Sequence, residues 1–120
     1  MHKRTLVLGA SENPERYANK AVRRLNAAGH DVVAFGKTGD HIGDTKIERE
    51  WLPWEDIDTV TLYLNPVHQE AYYDKIIALA PKRIIFNPGT ENDAFEALAH
   101  KHGIETLEAC TLVLLSIGEY

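Results

Sequence analysis

The chain has 120 residues, 44% of them hydrophobic and 26% charged, with a formal net charge of −5. That is the size of one ordinary domain, with enough chain for a real core. No apolar run approaches the roughly 18 residues of a membrane span, and the acidic balance argues against a nucleic-acid backbone as partner.

The apolar stretch after Met1-His2-Lys3-Arg4 is too short for a signal-peptide core. Cys110 is the only cysteine and has no internal disulfide partner. Both points lead to the expectation of a cytosolic protein with one domain over residues 1–120. The charge is unevenly spread. Residues 1–49 hold nine Lys/Arg against six Asp/Glu, and residues 50–120 hold four against twelve. Either this is a chance asymmetry of solvated faces or the first half meets a polyanionic small molecule.

Arg4 to Gly9 reads as a buried strand, continuous rather than alternating, as expected of a parallel strand covered on both faces. Ala18, Ala21, Val22, Leu25 and Ala28 recur at helical spacing, with Lys20, Arg23 and Arg24 on the other face and Gly29 as the stop. Asp31 to Phe35 forms the second strand and completes a right-handed βαβ unit. From Gly36 to Asp58 the pattern is irregular, with one short edge strand expected within 42–47 and a helical turn at Pro53-Trp54-Glu55-Asp56.

Thr59 to Leu64 is strand-like and Asn65-Pro66 breaks it. Ala71, Tyr72, Ile76, Leu79 and Ala80 then describe a helix. Lys82 to Phe86 is another strand, cut by Asn87-Pro88-Gly89. Thr90 or Asn92 caps the next helix, which buries Phe95, Leu98 and Ala99 and ends at Gly103. Ile104 to Leu107 is a final strand, and the apolar tail from Leu112 to Ile117 has no clear class. Strands alternating with helices predict a three-layer, Rossmann-like, doubly wound α/β domain with a mainly parallel sheet.

Ligands of such sheets bind at the carboxyl ends of the strands. Here those ends are the loops 9–17, 36–43, 64–67 and 87–92. In the first, Gly9 permits close backbone approach, Ser11 offers a hydroxyl, and Asn13-Pro14 fixes the turn into a helix whose positive end suits phosphate. The NAD-type acidic residue is absent after the second strand, which ends Phe35-Gly36-Lys37. Lys37 is either a solvated lysine or a contact to a phosphorylated ribose. The chain lacks both a full G-x-G-x-x-G and the P-loop pattern, and the latter argues against a P-loop NTPase.

The run Gly9-Ala10-Ser11-Glu12-Asn13-Pro14-Glu15-Arg16 resembles the Gly-Ala-Ser-x-Asn-Pro-x-Arg loop of the small stand-alone CoA-binding proteins. That family is similar to the CoA-binding Rossmann domain at the start of the succinyl-CoA synthetase α-subunit. Gly29-His30-Asp31-Val32-Val33, the Gly43 region, the strand before Pro66, the loop at Gly89 and the late Cys110 extend the resemblance from Leu6 to about Leu115. It implies that the first loop cradles a pyrophosphate and that loops 36–37 and 64–66 flank adenosine.

The candidate cofactor-binding residues are therefore Gly9, Ala10, Ser11, Asn13, Pro14, Arg16, Phe35, Gly36, Lys37, Leu64, Asn65, Pro66, Asn87 and Gly89, and the cofactor is coenzyme A or an acyl-CoA. The chain departs from the family pattern at Gly36-Lys37 in place of Asn-Pro, at Tyr63-Leu64-Asn65 where an arginine is frequent, and at Ala109 before the cysteine.

Nucleophilic catalysis has only Ser11, Ser116 and Cys110 to draw on, with no base or acid nearby in sequence. Cys110 reads as a small buried side chain. The histidines are scattered, and His100-x-His102 points its rings off a common face, so no metal site is expected. The Trp51/Trp54 and Tyr72/Tyr73 pairs read as packing. The sequence thus favours a non-catalytic CoA-binding domain, with a small-molecule nucleotide ligand and neither nucleic acid nor membrane as partner. Two rivals stay open: an NADP-dependent reductase, and a degenerate domain kept for protein contacts.

Overall fold

In the computed structural model, which describes residues 2–120, the chain runs β1 (Thr5–Leu8), α1 (Tyr17–Ala27), β2 (Val32–Phe35), β3 (His41–Ile42), β4 (Thr45–Glu48) and β5 (Thr59–Leu62). It continues with α2 (Pro66–Gln69), a tighter helical turn (Glu70–Tyr72), α3 (Tyr73–Leu79), β6 (Arg83–Phe86), α4 (Asp93–Lys101), β7 (Glu105–Glu108) and α5 (Thr111–Ser116). The strands form one sheet in the order β3-β4-β2-β1-β5-β6-β7. Every pairing is parallel except β3 with β4, with Thr5 opposite both Val32 and Thr59. This is the expected doubly wound Rossmann-like domain.

The continuous apolar strands are explained by burial on both faces. Leu6, Leu8, Val60, Leu62, Ile84 and Phe86 point to one side, where Ile76, Phe95 and Ala99 from α3 and α4 cover them. Val7 and Ala34 point to the other, against Ala18, Val22 and Leu25 of α1. α1 ends as the sequence predicts: with Gly29 at φ +87°, the His30 N–H donates to the Leu25 carbonyl and the Gly29 N–H to that of Asn26. Ala28 is the exposed cap residue and not part of the buried stripe.

Several expectations are corrected. The 42–47 segment forms two strands, a hairpin turning at Gly43-Asp44 with Gly43 at φ +59°, and β4 joins the parallel sheet beside β2. Residues 53–56 are not helical, because Asp56 adopts φ +57° and the Trp54 N–H turns back to the Leu52 carbonyl. The helical region after β5 begins earlier, at Pro66, and is broken in three. Ala71 and Ala80 are exposed, while Gln69 is fully buried. Asn92 caps α4 by accepting from the Phe95 N–H, and the Thr90 hydroxyl binds the Asn87 carbonyl instead. The unclassified tail is the helix α5, lying beside α1.

Ala80 ends α3 in the left-handed conformation, with φ +51° and ψ +52°, where a Cβ is strained and glycine is not. Ala80→Gly is expected to stabilise the protein by about 0.5–1 kcal/mol. Urea denaturation checks it: the midpoint rises at constant slope.

Candidate functional site

The strand order reverses at β1, which pairs with β2 on one side and β5 on the other. Loops leaving β1, β5 and β6 meet there around a cavity of about 570 Å³. The first loop contributes Gly9, Ser11, Arg16, Tyr17 and Ala18, the second Tyr63, Leu64 and Asn65, and the third Pro88, Gly89 and Thr90.

The first loop is tied down by its own polar groups. Gly9 has φ +99°, and a Cβ on it would lie 3.1 Å from the Tyr63 carbonyl carbon and oxygen. The N–H groups of Gly9 and Ala10 both donate to the Phe35 carbonyl at 2.9 Å, so they are already engaged. The Ser11 Oγ accepts from the Asn13 N–H at 3.1 Å, which leaves its own O–H to donate. Asn13 Oδ1 accepts from the Glu15 N–H, and the Asn19 amide donates to the Ser11 carbonyl at 2.8 Å.

α1 then begins at Tyr17, with Arg16 as an N-cap residue that makes no side-chain cap bond and with no acidic residue in the first turn. The N–H groups of Tyr17, Ala18 and Asn19 therefore have no intrahelical acceptor, and the positive end of the helix lies at the cavity wall. Arg16, exposed, is the cation on that wall.

The other two loops are held by buried amides. Gln69 Nε2 donates to the carbonyls of Leu64 (2.9 Å) and Thr90 (2.8 Å), and its Oε1 accepts from Asn92 at 3.0 Å. One side chain thus joins the loop after β5 to the loop after β6. Asn87 Nδ2 donates to Thr61 Oγ1 (2.6 Å) and the Leu62 carbonyl (2.9 Å), while its Oδ1 accepts from the Thr111 N–H (2.9 Å). Asn65 caps α2 by accepting from His68, and Pro66 opens that helix. The Gly89 N–H donates to the Glu91 carboxylate at 2.8 Å. The Tyr63 hydroxyl is buried without a hydrogen-bond partner, and burial pushes its pKa up to about 12.

Six of the expected residues line this cavity: Gly9, Ser11, Arg16, Leu64, Asn65 and Gly89. The others stand elsewhere. Ala10 is buried, and Asn13 and Pro14 form the exposed turn. Phe35 packs edge-on against Trp51, Trp54 and Tyr72, with ring centroids 5.3, 6.1 and 5.6 Å away. Gly36 backs onto Ala10, whose carbonyl oxygen would be 2.3 Å from a Cβ. Lys37 is exposed and off the cavity wall. Asn87 is spent on its three internal bonds, and Pro66 belongs to the helix start. Sequence reasoning missed Tyr17, Ala18, Tyr63, Pro88 and Thr90, all but Ala18 next to a residue it named, and it had no signal for Gln69.

Glu12 links the first loop to the one after β2. The backbone N–H groups of Asp40 and His41 hold its carboxyl below the usual range, the His41 N–H donating at 3.2 Å. Away from the cavity, carboxylate oxygens of Asp93, Glu96 and Glu108 lie within 4.8 Å of one another, and hydrogen bonding and repulsion from Glu96 raise the Glu108 pKa. Cys110 is half-buried rather than enclosed.

By fold this is a Rossmann-type domain, and its switch-point crevice presents an uncapped helix start, a hydroxyl and a guanidinium. The chain belongs to the CoA binding domain family, whose model matches residues 3–116. It is similar to a crystal structure described only as that of an uncharacterized protein, at 43% identity and a TM-score of 0.98, covering 100% of this chain and 99% of that one. A hypothetical protein from Pyrococcus horikoshii OT3 is 25% identical, with a TM-score of 0.84 over 93% of this chain and 80% of that one.

The dinucleotide forming acetyl-coenzyme A synthetase 1 of Ca. Korarchaeum cryptofilum, solved with phosphate and ADP, shares the fold at 19% identity and a TM-score of 0.70, over 89% of this chain and 25% of its own. No curated protein matches the chain. Among the described residues no helix is long and apolar enough to cross a membrane.

Gln69→Leu leaves two buried carbonyls and the Asn92 amide short of partners, so a loss of about 2–4 kcal/mol is expected from denaturant unfolding. The Glu12 contact has a sign that titration can read. Its folded pKa lies below the ordinary 4.5, so the stabilisation is present above that value and is lost as pH falls through the lowered one. The His41 amide resonance should move with a midpoint below pH 4.5, and should not move in Glu12→Ala.

Proposed function

We propose that this protein binds coenzyme A in the cavity between the loops after β1, β5 and β6, and performs no chemistry of its own. The observation that carries the reading is the convergence of three anion-seeking groups on that wall: the uncapped start of α1, the Ser11 hydroxyl and the Arg16 guanidinium. A pyrophosphate satisfies the orphan N–H groups, accepts from Ser11 and pairs with Arg16. Membership of the CoA binding domain family supports CoA over other nucleotides.

The non-catalytic part of the reading rests on the chemistry of the wall. Among the described residues it offers hydroxyls, one amide and one guanidinium. These are groups that recognise an anion, and none of them takes up a proton near neutral pH as a general base must. The Tyr63 phenol stays protonated. The Gly89 N–H, now held by the Glu91 carboxylate, becomes a further phosphate donor if that side chain swings out, since Glu91 is exposed.

CoA is expected to raise the melting temperature, because a ligand of the native state stabilises it by mass action. Gly9→Val should abolish the shift, since it strains a positive φ and presses on the Tyr63 carbonyl. Arg16→Ala should weaken calorimetric affinity by about 1–2 kcal/mol. A shift with NADP and none with CoA would give the protein to the reductase reading.

A further inference from the structure

Beside the polar cavity lies a second one of about 390 Å³, walled by Pro88, Cys110, Leu112, Val113 and the rings of Tyr17 and Tyr63. Tyr17, Tyr63 and Pro88 also border the first cavity, so the two meet along those side chains. Their chemistry differs. Asn87, which reaches the second cavity, has its amide committed to Thr61, Leu62 and Thr111, and the Tyr63 hydroxyl is buried. What remains facing the space is mostly carbon surface, with the Cys110 thiol at its edge.

We propose that this second cavity holds the acyl chain of an acyl-CoA while the nucleotide end occupies the polar cavity. The inference rests on the CoA reading given above and names its ligand class: a thioester with a short or medium aliphatic chain. Three observations carry it. The apolar space and the anion-seeking wall share Tyr17, Tyr63 and Pro88, which places them side by side on the protein, close enough for the two ends of one long, flexible ligand. Methylenes lose nothing against those carbon walls, whereas each amide of a pantetheine arm laid there needs a hydrogen-bond partner from the few polar groups present. Tyr17 is 66% exposed and Val113 52% exposed; an aliphatic chain between them covers apolar surface that otherwise stays in water. The volume lies within the range of small-ligand sites, about 300–1,000 Å³, and suits a chain of a few carbons better than a long lipid.

Titration calorimetry of the whole chain with CoA, acetyl-CoA, butyryl-CoA and hexanoyl-CoA tests it. Each buried methylene is expected to tighten binding about fourfold until the space is filled, so hexanoyl-CoA should bind at least tenfold more tightly than acetyl-CoA. Val113→Asp, a change at a half-exposed helix position whose folding circular dichroism verifies, should flatten that dependence on chain length. Hexanoyl-CoA should also slow alkylation of Cys110 by iodoacetamide more than CoA does. If CoA binds and the acyl-CoAs bind equally or more weakly, the acyl site is refuted and the CoA reading stands. Chain-length dependence that survives in Val113→Asp would place the chain elsewhere and equally overturn the inference. Failure of every one of these ligands to bind would remove the CoA reading and this inference with it.

Discussion

The close approach of two backbone segments at the top of β1 and β2 is the constraint on which the site depends. The Phe35 carbonyl takes hydrogen bonds from both Gly9 and Ala10, and the Ala10 carbonyl presses against Gly36 where a side chain would stand. Gly36 does not have a positive φ; it is glycine because any Cβ would collide with that oxygen. This contact sets where the first loop leaves the sheet. It thereby sets where α1 begins and which way its unpaired N–H groups face. Gly9 makes the matching approach on the other side, toward Tyr63 at the end of β5.

Outward from that anchor, the loops are shaped by side-chain amides rather than by strand pairing. Gln69 and Asn92 hold the loops after β5 and β6 to each other, Asn87 fastens β6 to β5 and to the start of α5, and Asn19 holds the Ser11 carbonyl. Asn19 is held by its Nδ2 alone, and its buried Oδ1 has no partner. Gln69, Asn87 and Asn92 have both ends of their amides paired, which specifies one geometry where an apolar contact would permit several. The cavity is thus largely preformed.

The uneven charge of the chain has a limited part in this. Of the cations in the first half, Arg16 reaches the cavity, while Arg23 and Arg24 lie on the solvated face of α1 and Lys37 stands off the wall. Attraction for an anion at the site comes from the helix start and one guanidinium, opposed by the Glu91 carboxylate near Gly89. The cavity next to it, on the side of Cys110 and Val113, is walled mainly by apolar side chains.

Much was legible in the sequence because it is local. Strands covered on both faces need unbroken apolar runs, and α1 needs its stripe and its Gly29 stop, so the class of fold, and with it the loops at the carboxyl ends of the strands, followed from spacing alone. Gly9, Ser11 and Arg16 were named because a strand running into Gly-Ala-Ser and then a helix resembles the first loop of the CoA-binding proteins, and an ordinary βα turn uses the same residue types. What lay beyond reach depends on distance in the chain. The role of Gly36 follows from Ala10, that of Asn87 from Thr61, Leu62 and Thr111, and that of Gln69 from Leu64, Thr90 and Asn92. Nothing in the composition of a turn tells a glycine that meets a ligand from one that meets a carbonyl. Nor does it tell an asparagine that binds a cofactor from one that satisfies its own backbone. Tertiary structure decides between them, because a hydrogen bond or a steric contact belongs to the pair and not to either residue.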